Sequence, residues 1–168
     1  MAYRERVFIS FDGDNDIHYY RLMKAWKQND RTDFSFVDAH ELSQSRDSSQ
    51  EESIKRSLRD RLTASKVFVS LVGESTRYLY KFVRWEIEQA IGLRIPIIVV
   101  NLNGRKEIDA EKCPPLLRDT LAVHVSFGPI ILQHALESWP NEFESLRAQG
   151  FHGARHYAPS VYVSLGMN

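Results

Sequence analysis

The chain has 168 residues, 43% of them hydrophobic and 26% charged, with 22 Lys and Arg against 22 Asp and Glu. That length suits one domain with a real core, and the even balance leaves no excess of positive charge to draw nucleic acid or anionic lipid. The single cysteine, Cys113, excludes an internal disulfide, "MAYRERVFIS" lacks the apolar stretch of a signal peptide, and "IPIIVV" is too short to span a bilayer, so a cytoplasmic protein with no membrane and no nucleic-acid partner is expected.

In chain order, "RVFISF" (6–11) is rich in β-formers and runs into "DGDND", which predicts a buried strand and a turn. Asp14 or Asn15 then caps a helix carrying Ile17, Tyr20, Met23 and Trp26. "DFSFVDA" (33–39) is a second strand, followed by a polar loop, "HELSQSRDSSQ". Ser48 with Glu51, and Ser49 with Glu52, have capping-box spacing, and Ile54, Leu58 and Leu62 stripe the helix that follows. "KVFVSLVG" (66–73) has the near-continuous apolar character of a central parallel strand.

Ser75 or Thr76 is expected to cap the next helix, which includes "YKFVRWEIEQAIGL" (78–91). At helical spacing Leu79, Val83, Glu86 and Ala90 share one face, Phe82 and Ile87 flank it, and Lys81, Arg84 and Glu88 lie opposite. A carboxylate therefore occupies an apolar stripe, a position that requires a partner, a raised pKa or an opening into a pocket. A core-edge Glu satisfied by an Arg or a backbone donor meets the same pattern. "PIIVVNL" (96–102) and "VHVSF" (123–127) are strands four and five, with a loop and a short helix between them. A helix after Pro129 is expected to break or restart at Pro140, and residues 151–168 form a tail that adds a strand to the domain or packs across a partner.

Alternating strands and helices imply an α/β fold, an open, mostly parallel five-stranded sheet flanked by helices on both faces. Ligands of such sheets bind outside the carboxyl ends of the strands, an edge that here collects Phe11, Asp12, Asp38 and Gly73.

The turn at Phe11–Asp14 lacks the glycine pattern of a dinucleotide fingerprint, and no Walker A sequence occurs. Asp12, Asp14 and Asp16 alternate as in a calcium loop, but the glycine is misplaced and Met23 stands where the bidentate Glu belongs. A phosphoacceptor receiver would need an Asp after strand three and a Lys after strand five, where Val72, Gly73 and Phe127, Gly128 stand. His152 and His156 are too sparsely accompanied for zinc, and Cys113, which runs into Pro114 and Pro115, is expected to be structural. No metal or cofactor is expected. A lone inward carboxylate suits a positively charged sugar transition state, as in cleavage of an N-glycosidic bond. Nicotinamide in NAD leaves neutral from a cationic pyridinium and needs no strong acid.

"RVFISF" with its acidic turn, the strand ending in Asp38, "VFVSLVG", and Ser75 and Thr76 ahead of "FVRWEIEQAI" resemble the Toll/interleukin-1 receptor (TIR) fold, and most closely bacterial TIR-like proteins of the Thoeris anti-phage type. The resemblance runs over about residues 6–127 and implies a TIR/flavodoxin-like three-layer domain over 1–150, with Glu86 as the catalytic residue of NAD cleavage to a cyclic or linear ADP-ribose-type signal. Ser10, Phe11, Asp12 and Asp38 would line the substrate, NAD, with the segment 39–50 as a lid and the loop of TIR self-association. A downstream effector would sense the product. Phe82 departs from the Trp or Cys common before this Glu, and Asp12 and Asp14 stand where Arg often lies; these acids meet ribose hydroxyls or cap the first helix. Arg77 and Arg84 are phosphate contacts or ordinary exposed helix charges. A non-catalytic TIR scaffold acting by self-assembly and a nucleoside glycosidase are the competing readings.

Overall fold

The computed structural model describes residues 5–28, 35–38 and 51–167, with backbone alone for 35–38 and 51. Its strands are β1 (Arg6–Ser10), β2 (Ser35–Asp38), β3 (Val67–Val72), β4 (Ile97–Asn101), β5 (Ala122–Ser126) and β6 (Ala154–His156). The helices are α1 (Ile17–Gln28), α2 (Glu51–Thr63), α3 (Val83–Gly92), α4 (Pro115–Asp119), α5 (Pro129–Ala148) and α6 (Pro159–Ser164), with a 3-10 turn at Thr76–Tyr78.

The strands lie in the order β2-β1-β3-β4-β5-β6, every pair parallel. The five expected strands thus form the open parallel sheet, and the tail extends it through β6, whose Ala154 and His156 pair with Ala122 and His124. Strand alternation assigns the faces. Val7, Ile9, Val67, Val69 and Leu71 point into one core with Tyr20 and Met23 of α1 and Leu132, Leu136 and Trp139 of α5. Phe8, Phe68, Ile97 and Val99 point into the other, with Ile54, Leu58 and Leu62 of α2, Val83 and Ile87 of α3, and Leu117 of α4. Burial on both faces is why β3 reads as an unbroken apolar run interrupted only by Ser70.

Three local expectations are corrected. The turn into α1 is held by Asp12, whose Oδ1 accepts from the Asp14 and Asn15 backbone N–H groups at 3.0 and 3.3 Å and whose Oδ2 accepts from Asn15 Nδ2 at 2.8 Å. Asp14 and Asn15 are donors to this turn; a short carboxylate one turn earlier reaches the free N–H groups. The helix bearing Glu86 starts at Val83, after Phe82, with no side-chain cap. Thr76 serves the turn instead: its Oγ1 accepts from the Gly73 N–H at 2.9 Å and faces the Leu71 carbonyl at 3.4 Å. Finally, α5 runs through Pro140 without restarting. Leu136, Trp139 and Phe143 are buried on either side of it, and that continuous apolar face outweighs the ~3 kcal/mol that a proline costs a helix interior.

Ser48 and Ser49, with the segment 39–50, lie outside the described residues. Cys113 is fully buried among apolar neighbours, and burial pushes its thiol up to about 12, as a structural cysteine requires.

Candidate active site

Strand order reverses between β1 and β3: the chain winds to β2 on one side of β1 and to β3, β4 and β5 on the other. This switch point is where open parallel sheets leave a crevice at their carboxyl edge. Two serines meet there. Ser10 ends β1 and is in register with Ser70 of β3, on the face covered by α2, α3 and α4.

Glu86 descends onto Ser10 from the first turn of α3. Its backbone N–H makes the helix's opening bond to the Phe82 carbonyl at 2.8 Å, and its side chain, 3% exposed, lies on the same buried face as Val83, Ile87 and Ala90. Ser10 Oγ donates to Glu86 Oε1 at 2.7 Å. Among the described residues no Lys or Arg makes an ion pair with Glu86. Burial pushes its carboxyl up to about 8, against the pull of the Ser10 hydroxyl. With one neutral donor opposing burial, the neutral form of this acid is favoured well beyond the ordinary carboxylate range. The other end of α3 is fixed by a Schellman pattern, Ile95 N–H to Ala90 and Arg94 N–H to Ile91, with Arg94 at φ 58°.

The remaining sequence candidates separate. Phe11 points to the opposite core, stacked on Tyr20 with ring centroids 4.6 Å apart, so it is not brought together with Glu86. Asp12 is 2% exposed at the mouth of β1, its oxygens engaged by its own turn. Asp38 ends β2 beside Ile9; its side chain lies outside the described atoms.

Two residues escaped the sequence reading. Ser70 is fully buried, and its Oγ has no hydrogen-bond partner among the described residues, directly beside Ser10. A lone polar residue in an otherwise apolar central strand was the available signal. Asp16 packs its carboxylate against Gly73, where a Cβ would stand 2.4 Å from Oδ2, so the glycine after β3 is a space requirement. Burial, then the charges of Asp12 and Glu74, push Asp16 above its ordinary value against the pull of His18. No group of three or more His, Cys, Asp or Glu among the described residues is placed to hold a metal.

The doubly wound parallel sheet, with an unpaired acid lowered onto the switch point by the helix after β3, defines a TIR-like α/β domain. Residues 8–107 match the family described as Thoeris protein ThsB, TIR-like domain, and the chain belongs to that family. A comparison with curated proteins returned no match. No helix among the described residues is long and apolar enough to cross a membrane.

Proposed function

We propose that the protein is a signalling enzyme of bacterial anti-phage defence that cleaves the nicotinamide–ribose bond of NAD. The observation that carries the reading is Glu86, buried at the switch point with a serine hydroxyl for company and no cation paired with it among the described residues. As the C1′–N bond breaks, its electron pair passes to the pyridinium nitrogen and nicotinamide leaves neutral. The ribose becomes an oxocarbenium ion, and an ionised Glu86 beside it offsets the developing charge in a water-poor site, where such an interaction is strongest. Attack by water releases a proton and gives ADP-ribose; attack by a nucleophile of the same molecule gives a cyclic product. The cationic nicotinamide ring also favours ionisation of a carboxyl that is otherwise half neutral near pH 8. A downstream effector would respond to the product, and copies of the chain would associate through TIR-type contacts.

The test is product analysis of NAD incubated with the purified protein, alone and with extract from phage-infected cells. Turnover lost in Glu86→Gln supports the reading; absence of any Glu86-dependent turnover in either condition overturns it. A second reading, a scaffold that acts by self-assembly, draws on the same Ser10–Glu86 hydrogen bond taken as a core contact, and predicts that Glu86→Gln preserves assembly and function while altering stability.

A further inference from the structure

A recess opens on the carboxyl side of the sheet, between the loop after β3 and the start of α4. Arg77, Tyr78 and Tyr80 from that loop, Val83 and Arg84 from α3, and Leu116 from α4 line a cavity of about 280 Å³. Glu86 is not among its walls, although it lies on the same helix. Tyr78 and Tyr80 are 58% and 65% exposed, large rings left to solvent at the rim of an apolar floor. A guanidinium stands over each: Arg77 lies 5.0 Å from the Tyr78 ring and Arg84 6.0 Å from the Tyr80 ring. Arg77 also donates to the Glu111 carbonyl, and Arg84 meets Glu88 at 3.8 Å across an exposed helix surface, a weak engagement. A guanidinium has five donors, so both retain N–H groups for a ligand. The described lining contains no carboxylate.

We propose that this recess binds a nucleotide, its base in the tyrosine- and proline-walled slot and its phosphates on Arg77 and Arg84. An apolar hollow with two guanidinium groups in its lining suits a flat ring that carries negative charge. At about 280 Å³ the cavity lies at the lower edge of the range for small-ligand pockets, too small for a whole dinucleotide, so only a base-sized part of the ligand is enclosed and the phosphates lie outside. The site does not include Ser10 or Glu86, and it gives Arg77 and Arg84, candidate phosphate contacts in the sequence, a place of their own.

Calorimetric titration of the full chain with ADP, adenosine and inorganic phosphate tests it. ADP is expected to bind at one site per chain, with adenosine and phosphate each at least about tenfold weaker. Tyr80→Ala and Arg84→Ala, both at exposed positions that folding does not depend on, are each expected to weaken ADP about tenfold. Glu86→Gln should leave ADP binding unchanged, so failure here is distinguishable from failure of the glycosidic reading. The proposal is overturned if ADP shows no saturable binding, if phosphate binds as well as ADP, or if Glu86→Gln removes binding that Tyr80→Ala and Arg84→Ala leave intact.

Discussion

Glu86 and Asp109 are each 3% exposed, but Glu86 lies deep against the sheet and Asp109 just beneath the loop after β4, and their carboxyl groups are driven in opposite directions. Burial pushes Asp109 up, but the Lys112 backbone N–H, the Asn103 side chain, the Glu111 backbone N–H and the charge of Arg105 together bring it below its ordinary value. Three of these are hydrogen bonds of 2.8 to 3.0 Å, and they close the loop after β4. At Glu86 one serine hydroxyl opposes burial, and burial wins. Two differences therefore set these acids apart: Glu86 is enclosed far more deeply, and Asp109 has three hydrogen-bond donors aimed at it where Glu86 has one. Asp109 is satisfied and structural, whereas Glu86 retains unspent capacity to interact with a cation.

The largest effect expected from breaking this contrast is chemical. Glu86→Gln keeps the shape and removes the charge, and should lower NAD turnover by about 10²-fold or more, as loss of a buried electrostatic stabiliser does elsewhere. Asp109→Asn should leave turnover within about twofold, because nothing in that loop faces the ribose in the proposed site. If the two variants lose activity equally, the assignment of Glu86 fails.

Stability should show the reverse ranking. Asp109→Ala leaves two backbone N–H groups and an amide without their acceptor, and is expected to cost about 2–4 kcal/mol in urea denaturation. The pH dependences also oppose each other. Folding raises the Glu86 carboxyl from 4.5 to about 8, so its contribution is complete below pH 4.5 and is lost as pH rises through 8. Asp109, lowered on folding, contributes above the ordinary carboxylate range and loses that contribution as pH falls through its lowered value. Urea midpoints compared across pH 5 to 9 should therefore show Glu86→Gln gaining on the parent protein at the alkaline end.

Next in size, Ser10→Ala removes the only donor to the Glu86 side chain among the described residues. The alkaline-rising limb of the turnover profile is expected to move up by about one pH unit. A profile that stays in place would show that Ser10 does not tune Glu86. Ser70, in register beside it with an unpartnered hydroxyl, should act on the profile less or not at all.

Much of this was legible in the sequence, for reasons that differ by residue. The strands could be read because β1, β3, β4 and β5 are buried on both faces and show it as apolar runs. Glu86 could be read because helical period 3.6 places it in an apolar stripe even though the helix begins at Val83 and not at residue 78. The placement of Phe11 was not legible: the strand's two-residue alternation continues past Ser10 and turns its ring into the other core. The pairing of Ser70 with Ser10 and the contact between Asp16 and Gly73 were hidden, since each depends on which segments the sheet brings together across more than fifty residues.

Asp16 offers a third acid with which to sharpen the contrast. It is 7% exposed, its Oδ2 has no partner among the described residues, and burial with neighbouring acids raises its carboxyl, so it resembles Glu86 more than Asp109. Its backbone is tied to Asp12 and Tyr19, and the space for its carboxylate comes from the absence of a side chain at Gly73. Gly73→Ala would put a Cβ inside contact distance of both carboxylate oxygens, and the displaced side chain should cost about 1 kcal/mol. Its backbone angles impose no left-handed strain, so the loss should come from this contact alone. In an Asp16→Ala background the same substitution should be close to neutral, and a double-mutant cycle by urea denaturation reads the difference. An equal loss in both backgrounds would locate the cost in the turn after β3, leaving Asp16 held by something other than the space that the glycine provides.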